Sequence, residues 1–67
     1  MINVVLVDDH ELVRTGFRMI LQQQADIRIR GEAGSAEEGL RLIRSQSPDI
    51  ALVDVHMPGM SLSLIHI

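Results

Sequence analysis

The sequence predicts an α/β fold, with strands and helices alternating along the chain around a parallel sheet. Three observations predict it. Short apolar runs alternate with longer segments of helical periodicity, and such alternation is typical of parallel sheets with right-handed crossovers. The first run is mostly apolar and β-branched, as in a strand buried on both faces. Two of the apolar runs end directly in acidic residues.

Three segments have the character of strands. Residues 2–7 are mostly apolar and β-branched, which predicts a strand buried on both faces. Residues 27–31, Ile-Arg-Ile-Arg-Gly, alternate apolar and basic side chains with period two, which predicts a half-exposed strand at a sheet edge. Residues 50–53, Ile-Ala-Leu-Val, form the third predicted strand, and the Met57-Pro58-Gly59 turn follows it.

Two segments have helical periodicity. In residues 11–23 apolar positions recur at three- and four-residue spacing, which predicts an amphipathic helix with one apolar face. Its apolar positions are Leu12 or Val13, Gly16 and Phe17, and Ile20 and Leu21. The second helix begins at Gly34-Ser35, where Ser35 and Glu38 match a capping box, and Pro48 ends the segment. Its predicted inward stripe is Ala36, Leu40 and Ile43.

Composition excludes several classes of protein. The chain has 67 residues, no Cys and a net charge of −3, so disulfides and thiolate metal sites are excluded and a reducing, cytoplasmic setting fits. The basic side chains are all Arg and lie scattered along the chain, which argues against direct nucleic-acid contact. No apolar run is long enough to cross a membrane, and the N-terminus lacks the basic start of a signal peptide.

The acidic residues carry the chemical argument. Asp8 and Asp9 follow the first predicted strand, and Asp54 follows the third. Because ligands of open α/β sheets bind outside the carboxyl ends of the strands, we expect the three carboxylates to converge there. Converging carboxylates repel one another unless a cation offsets their charge, and hard oxygen ligands suit Mg²⁺. A strand-end aspartate beside Mg²⁺ can then accept a phosphoryl group as an acyl phosphate.

A simpler interpretation assigns Asp8 and Asp9 to capping the following helix, since Asp favours N-caps. It accounts for one of the two residues and leaves Asp54 unexplained. His10 and His56 are weak candidates as ring ligands, because imidazole prefers softer metals than an all-oxygen site selects. We expect His10 at the start of the helix, and His56 to offer its backbone carbonyl.

Three motifs occur together with a specific spacing. They are Val4-Val5-Leu6-Val7-Asp8-Asp9-His10, Leu12-Val13-Arg14-Thr15-Gly16, and Asp49-Ile50-Ala51-Leu52-Val53-Asp54-Val55-His56-Met57-Pro58-Gly59. In combination they resemble the receiver domain of bacterial two-component response regulators, of the NarL/LuxR type and GacA/UvrY-like. The resemblance covers about residues 1–61.

The resemblance implies a doubly wound sheet of order 2-1-3-4-5, of which this chain carries the 2-1-3 part. It implies phosphorylation of Asp54 by the phosphohistidine of a sensor histidine kinase. It also implies that Asp9, Asp54 and the His56 backbone carbonyl bind Mg²⁺ directly, and that Asp8 acts mainly through a metal-bound water. The implied role is that of a phosphoryl-accepting signalling module of a transcription regulator, not an enzyme.

The chain departs from the family pattern at its end. We expect residues 1–60 to be the N-terminal part of a receiver domain and residues 61–67 to be a tail foreign to the family. The family's fourth-strand Ser/Thr, its fifth-strand Lys and its DNA-binding helix-turn-helix have no counterpart in these 67 residues. We therefore expect no DNA or membrane contact by this segment, and self-association through an exposed sheet edge.

Two alternatives remain at this point. One is a truncated fragment that keeps the acidic pocket but cannot signal. The other is a phosphatase of the haloacid dehalogenase type, which also uses a strand-end Asp nucleophile. That family places a second acid two residues after the nucleophile, and this chain has His56 there.

Overall fold

A computed structural model describes residues 1–57 of the chain. The predicted alternation of strands and helices is confirmed. The elements are β1 (Ile2–Val7), α1 (Glu11–Gln22), β2 (Ile27–Ala33), α2 (Ala36–Gln46) and β3 (Ile50–Val53). The predicted turn at Met57-Pro58-Gly59 lies largely outside the described residues, and so does the predicted tail at 61–67.

The three strands form one parallel sheet of order β2-β1-β3, so the first strand is central as predicted. Residues 4–7 of β1 are at most 3% exposed, because neighbouring strands and the packed helix cover them. At the end of β1, Val7 is in register with Ala33 of β2 and with Val53 of β3. The carboxyl ends of all three strands therefore lie at one level.

The edge strand β2 is longer than the sequence predicted. Its burial alternates over Ile27–Arg30 as expected for a half-exposed strand. The strand then continues past Gly31 to Ala33, because pairing with β1 resumes after an irregularity between Val4 and Val5. The extension matters for the site, since it places the carbonyl of Ala33 beside the end of β1.

Helix α2 packs on the core face of the sheet. The buried residues Val5, Val7, Ala33 and Met57 form this core, and Leu42, Ile43 and Val53 pack against it. The close approach of helix and strand depends on Gly39, because a Cβ there would lie 2.6 Å from Cγ1 of Val7.

The capping prediction for α2 is confirmed in its main part. The Ser35 Oγ accepts a hydrogen bond from the amide of Glu38 at 3.2 Å, which satisfies one of the free N–H groups at the helix start. At the other end, Ser47 adopts a left-handed conformation with φ of 46°, and its N–H donates to the carbonyl of Ile43. Pro48 follows and ends the segment, as the sequence predicted.

The predicted apolar face of α1 is present, but among the described residues it is largely uncovered. No residue of α1 is buried, and Ile20 in the predicted stripe is 62% exposed. The helix instead contacts the sheet through polar side chains, since Arg14 and Arg18 both pair with Glu32 of β2. Within residues 1–57 no further element covers the apolar stripe. Local periodicity indicates which face of a helix is apolar, but not whether a partner lies against it.

No helix within residues 1–57 has the length and apolar character needed to cross a membrane.

Candidate functional site

The site lies where β1 and β3 end side by side. Asp8 follows β1 and Asp54 follows β3, and two backbone hydrogen bonds hold them there. The amide of Asp54 donates to the carbonyl of Val7 at 2.9 Å, and the amide of Asp8 donates to the carbonyl of Ala33 at 3.0 Å. The sheet register therefore brings the two acids together, as the strand-end argument predicted.

Both strand-end aspartates close the same kind of local turn. One carboxylate oxygen of Asp8 accepts from the amide of His10 at 2.8 Å, and one of Asp54 accepts from the amide of His56 at 2.9 Å. Such bonds to the backbone two residues ahead are typical of Asp at turns. The bond from His10 is the largest cause that lowers the pKa of Asp8 below its usual value. Each aspartate keeps its second oxygen for another partner.

Four side chains form the cluster: Asp8, Asp9, His10 and Asp54 offer ligand atoms that all lie within 4.8 Å of one another. The Nδ1 atom of His10 is 3.1 Å from Asp8, 3.0 Å from Asp9 and 3.6 Å from Asp54. The hydrogen bond to Asp8, followed by the charge of Asp9, raises the pKa of His10. A ring surrounded by three carboxylates indicates a position where positive charge is favourable.

The structure also decides the capping alternative. His10 is the N-cap of α1, and its side chain makes no cap hydrogen bond. The Asp8 carboxylate accepts from the amide of His10, the N-cap residue, and so satisfies one N–H group at the helix start. Asp9 makes no such bond among the described contacts, so capping accounts for at most one residue of the pair. The expected place of His10 at the helix start is confirmed. Its ring, which the sequence made only a weak candidate for the site, lies within the acidic cluster. The only sequence signal was its position directly after two acids.

The loop after β3 is anchored in the core by Met57. Met57 is 4% exposed in the core, and its amide donates to the carbonyl of Asp54 at 3.3 Å. His56 between them is exposed and contributes its amide to Asp54, while its ring stays outside the cluster. The expected role of the His56 carbonyl as a metal ligand stays a prediction, because the observed contact is made by the amide and not by the carbonyl.

Arg14 was also missed by the sequence reasoning. Its Nη1 donates to the backbone carbonyl of Asp8 at 2.6 Å, so a basic side chain lies directly behind the acids. A cavity of about 250 Å³ is lined by Asp8, Arg14, Phe17 and Asp54, together with Leu6, Val7, Leu52 and Val53.

Comparison with known proteins identifies the family. Residues 4–61 match the family model described as the response regulator receiver domain. The chain belongs to this receiver-domain family. The curated proteins that are similar to this chain include regulators of the NarL/LuxR type. The transcriptional regulatory protein LiaR of Bacillus subtilis is 50% identical over 60 residues, and the response regulator UvrY of Escherichia coli is 48% identical over 60 residues.

Each of these two alignments covers 90% of this chain and 28% of the relative, so the chain spans little more than a quarter of the curated relatives it matches. Among solved structures, the receiver domain of the putative response regulator NarL from Mycobacterium tuberculosis matches with a TM-score of 0.85 and 40% identity. That match covers 90% of this chain and 48% of the solved one. The receiver-type arrangement of β1 to β3 is thus confirmed by both sequence and fold.

Proposed function

We propose that this chain is a phosphoryl-accepting receiver module and that Asp54 is the acceptor. Membership in the receiver family supports the role, and the convergence of three carboxylates at the strand ends is the observation that carries it. One oxygen of Asp54 is held by the amide of His56, which leaves the other, Oδ2, toward the cluster. The Asp54 side chain is 20% exposed, so a donor can reach it.

The proposed reaction is a direct transfer. A carboxylate oxygen of Asp54 forms a bond to phosphorus while the bond between phosphorus and the donor's imidazole nitrogen breaks. The product is an acyl phosphate, and the released imidazole takes up a proton from solvent. The donor proposed is the phosphohistidine of a sensor histidine kinase. Each chain accepts one phosphoryl group in this scheme, so it acts as a reactant and not as a turnover enzyme.

The donor set fits Mg²⁺, because the carboxylates offer hard oxygen atoms. We propose that Asp9, Asp54 and the His56 carbonyl would hold the ion directly. For Asp8 we propose an indirect role through a bound water, as the family resemblance implies. The Asp9 carboxylate makes no hydrogen bond to the backbone among the described contacts, and the side chain is 40% exposed. When bound, Mg²⁺ would offset the mutual repulsion of the acids and the charge of an incoming phosphoryl group.

The wider setting belongs to the same proposal. We assign residues 1–60 to the receiver and place the protein in the cytoplasm, where its kinase partner would act. The net charge of −3 and the scattered Arg residues support the view that this segment itself does not contact DNA. A haloacid dehalogenase type of phosphatase is disfavoured by the basic His56 at the position of the second acid.

Intact-mass measurement tests the acceptor. With acetyl phosphate and Mg²⁺, the parent chain should gain the mass of one phosphoryl group, and Asp54→Asn should gain none, because an amide cannot form the acyl phosphate. Glu37→Gln is the matched control, since Glu37 is an exposed acid on α2 far from the site in the sequence. Modification that persists in Asp54→Asn would contradict the assignment.

Titration with Mg²⁺ tests the metal ligands. Asp9→Asn should weaken binding more than Asp8→Asn, because only Asp9 is proposed to contact the ion directly. Chemical-shift titration of both variants and the parent, in an osmolyte that favours the compact state, measures the affinities. Equal losses in the two variants, or no binding by a folded parent, would overturn the ligand assignment.

A further inference from the structure

Arg14 connects the acidic site to the edge strand of the sheet. It lies in the first turn of α1, four residues after the N-cap His10, and helical side chains lean toward the N-terminus of their helix. Its Nη1 therefore reaches back to the carbonyl of Asp8, while its Nε donates to Oε1 of Glu32 at 3.2 Å. The side chains of Arg14 and Glu32 are both about one-fifth exposed, at 21% and 22%.

Glu32 is itself held by a second basic residue. Its other carboxylate oxygen accepts from Nη1 of Arg18 at 2.6 Å. One half-buried carboxylate on β2 thus pairs with two successive Arg residues on one face of α1. An ion pair that is partly shielded from water and tied at both oxygens holds its geometry better than an exposed single contact.

The consequence concerns the peptide bond between Asp8 and Asp9. The amide of Asp8 is held by the Ala33 carbonyl, and its carbonyl is held by Arg14. Ala33 directly follows Glu32 on β2. The Asp8 amide is therefore bound to the end of β2 directly, and the Asp8 carbonyl is bound to it through Arg14 and Glu32. With its carbonyl direction set, the Asp8–Asp9 peptide plane is set, and so is the direction in which Asp9 leaves the strand.

We propose that Arg14 is a positioning residue for the acidic site. It orients the Asp8–Asp9 peptide so that the Asp9 carboxylate faces Asp54, and Glu32 keeps Arg14 in place. Arg14 acts through Asp8 and touches no reacting atom. The proposal rests on the proposed function in one respect, that the oriented acids bind a divalent cation.

Matched variants separate positioning from stability. Arg14→Gln removes the cationic donor to Asp8. Arg18→Gln removes an ion pair to the same Glu32 but has no contact with Asp8 among the described hydrogen bonds. Both are measured in the 67-residue chain by Mg²⁺ chemical-shift titration and by the metal-free amide shifts of Asp9 and His10.

We expect Arg14→Gln to weaken Mg²⁺ binding by about tenfold, the lower end of the range for residues that orient metal ligands. Arg18→Gln should change it by less than about twofold, since it leaves the contact between Arg14 and Asp8 in place. Glu32→Gln, which loosens the support of Arg14 without removing it, should give an intermediate loss. This variant tests the proposal independently of whether Arg14→Gln folds.

Arg14→Lys distinguishes orientation from charge. A lysine restores the positive charge but not the rigid fork that reaches Asp8 and Glu32 together, so rescue should be partial. Full rescue by lysine, or an equal loss of affinity in Arg14→Gln and Arg18→Gln, would overturn the proposal.

The metal-free spectra test the positioning role of Arg14 separately from Mg²⁺ binding by the acids. A parent without Mg²⁺ affinity would refute the metal assignment. Amide shifts of Asp9 and His10 that move in Arg14→Gln and stay fixed in Arg18→Gln would still support positioning. Amide shifts that stay fixed in Arg14→Gln would overturn it whatever the metal does.

Discussion

Replacing Gly39 with alanine should destabilise the chain by up to about 2.5 kcal/mol. The added Cβ would lie 2.6 Å from Cγ1 and 3.0 Å from Cγ2 of Val7, a residue only 1% exposed on the central strand. A buried β-branched side chain has few rotamers with which to make room. Overpacking of this kind costs about 1–3 kcal/mol, and the better helix propensity of alanine returns about 0.5–1 kcal/mol.

Gly16→Ala is the matched control for this substitution. Gly16 lies inside α1, and a Cβ built there meets no heavy atom within 4 Å. The same chemical change should therefore stabilise the chain by about 0.5–1 kcal/mol through helix propensity alone. Urea unfolding followed by far-UV circular dichroism measures both changes. Free energies of unfolding that shift in the same direction would show that the contact with Val7 does not limit the packing of α2.

The second large effect concerns association of the 67-residue chain. Strand β3 pairs with β1 on one side, and within residues 1–57 no strand pairs with its other side. Two of its apolar side chains are also exposed, Ile50 at 45% and Leu52 at 38%. Open apolar edges form hydrogen bonds with other chains. The parent chain should therefore show a weight-average mass that rises with concentration in sedimentation equilibrium, and a broad melting transition.

A lysine at the edge tests the cause. Ile50→Lys places a charge on β3, and charged side chains protect natural edge strands. This variant should remain monomeric at concentrations where the parent associates. Ile20→Lys is the control, because it makes the same chemical change at an even more exposed position, 62% against 45% for Ile50, and leaves the edge untouched. If Ile20→Lys suppresses association as strongly, or if the parent is monomeric throughout, pairing at the β3 edge is not the cause.

The sequence predicted the elements well where the signal was local. The strand at residues 2–7, the cap at Ser35 and the end of the second helix near Pro48 all depend on neighbouring residues, and all are confirmed. The exposure of α1 was not predicted. The apolar stripe of α1 is a local property, whereas its burial depends on elements distant in the chain, and so Phe17 and Ile20 are exposed among the described residues.

For the acidic site, too, the sequence predicted one part and the tertiary structure supplied the other. By itself the sequence determined that Asp8, Asp9 and Asp54 follow two parallel strands, and parallel strands must end at a common edge. The motifs around these acids also indicated the receiver-domain fold. No pattern along the chain, however, measures how far one side chain lies from another across that edge.

Only the tertiary structure decided the surroundings of those acids. It placed the His10 ring among three carboxylates, set Arg14 against the Asp8 carbonyl, and brought Gly39 onto Val7. These contacts depend on the register between β1 and its neighbours and on how closely each helix approaches the sheet. Register and helix approach are set by packing between separate elements, which local periodicity does not describe. This holds even for Arg14 and Asp8, which lie only six residues apart in the chain.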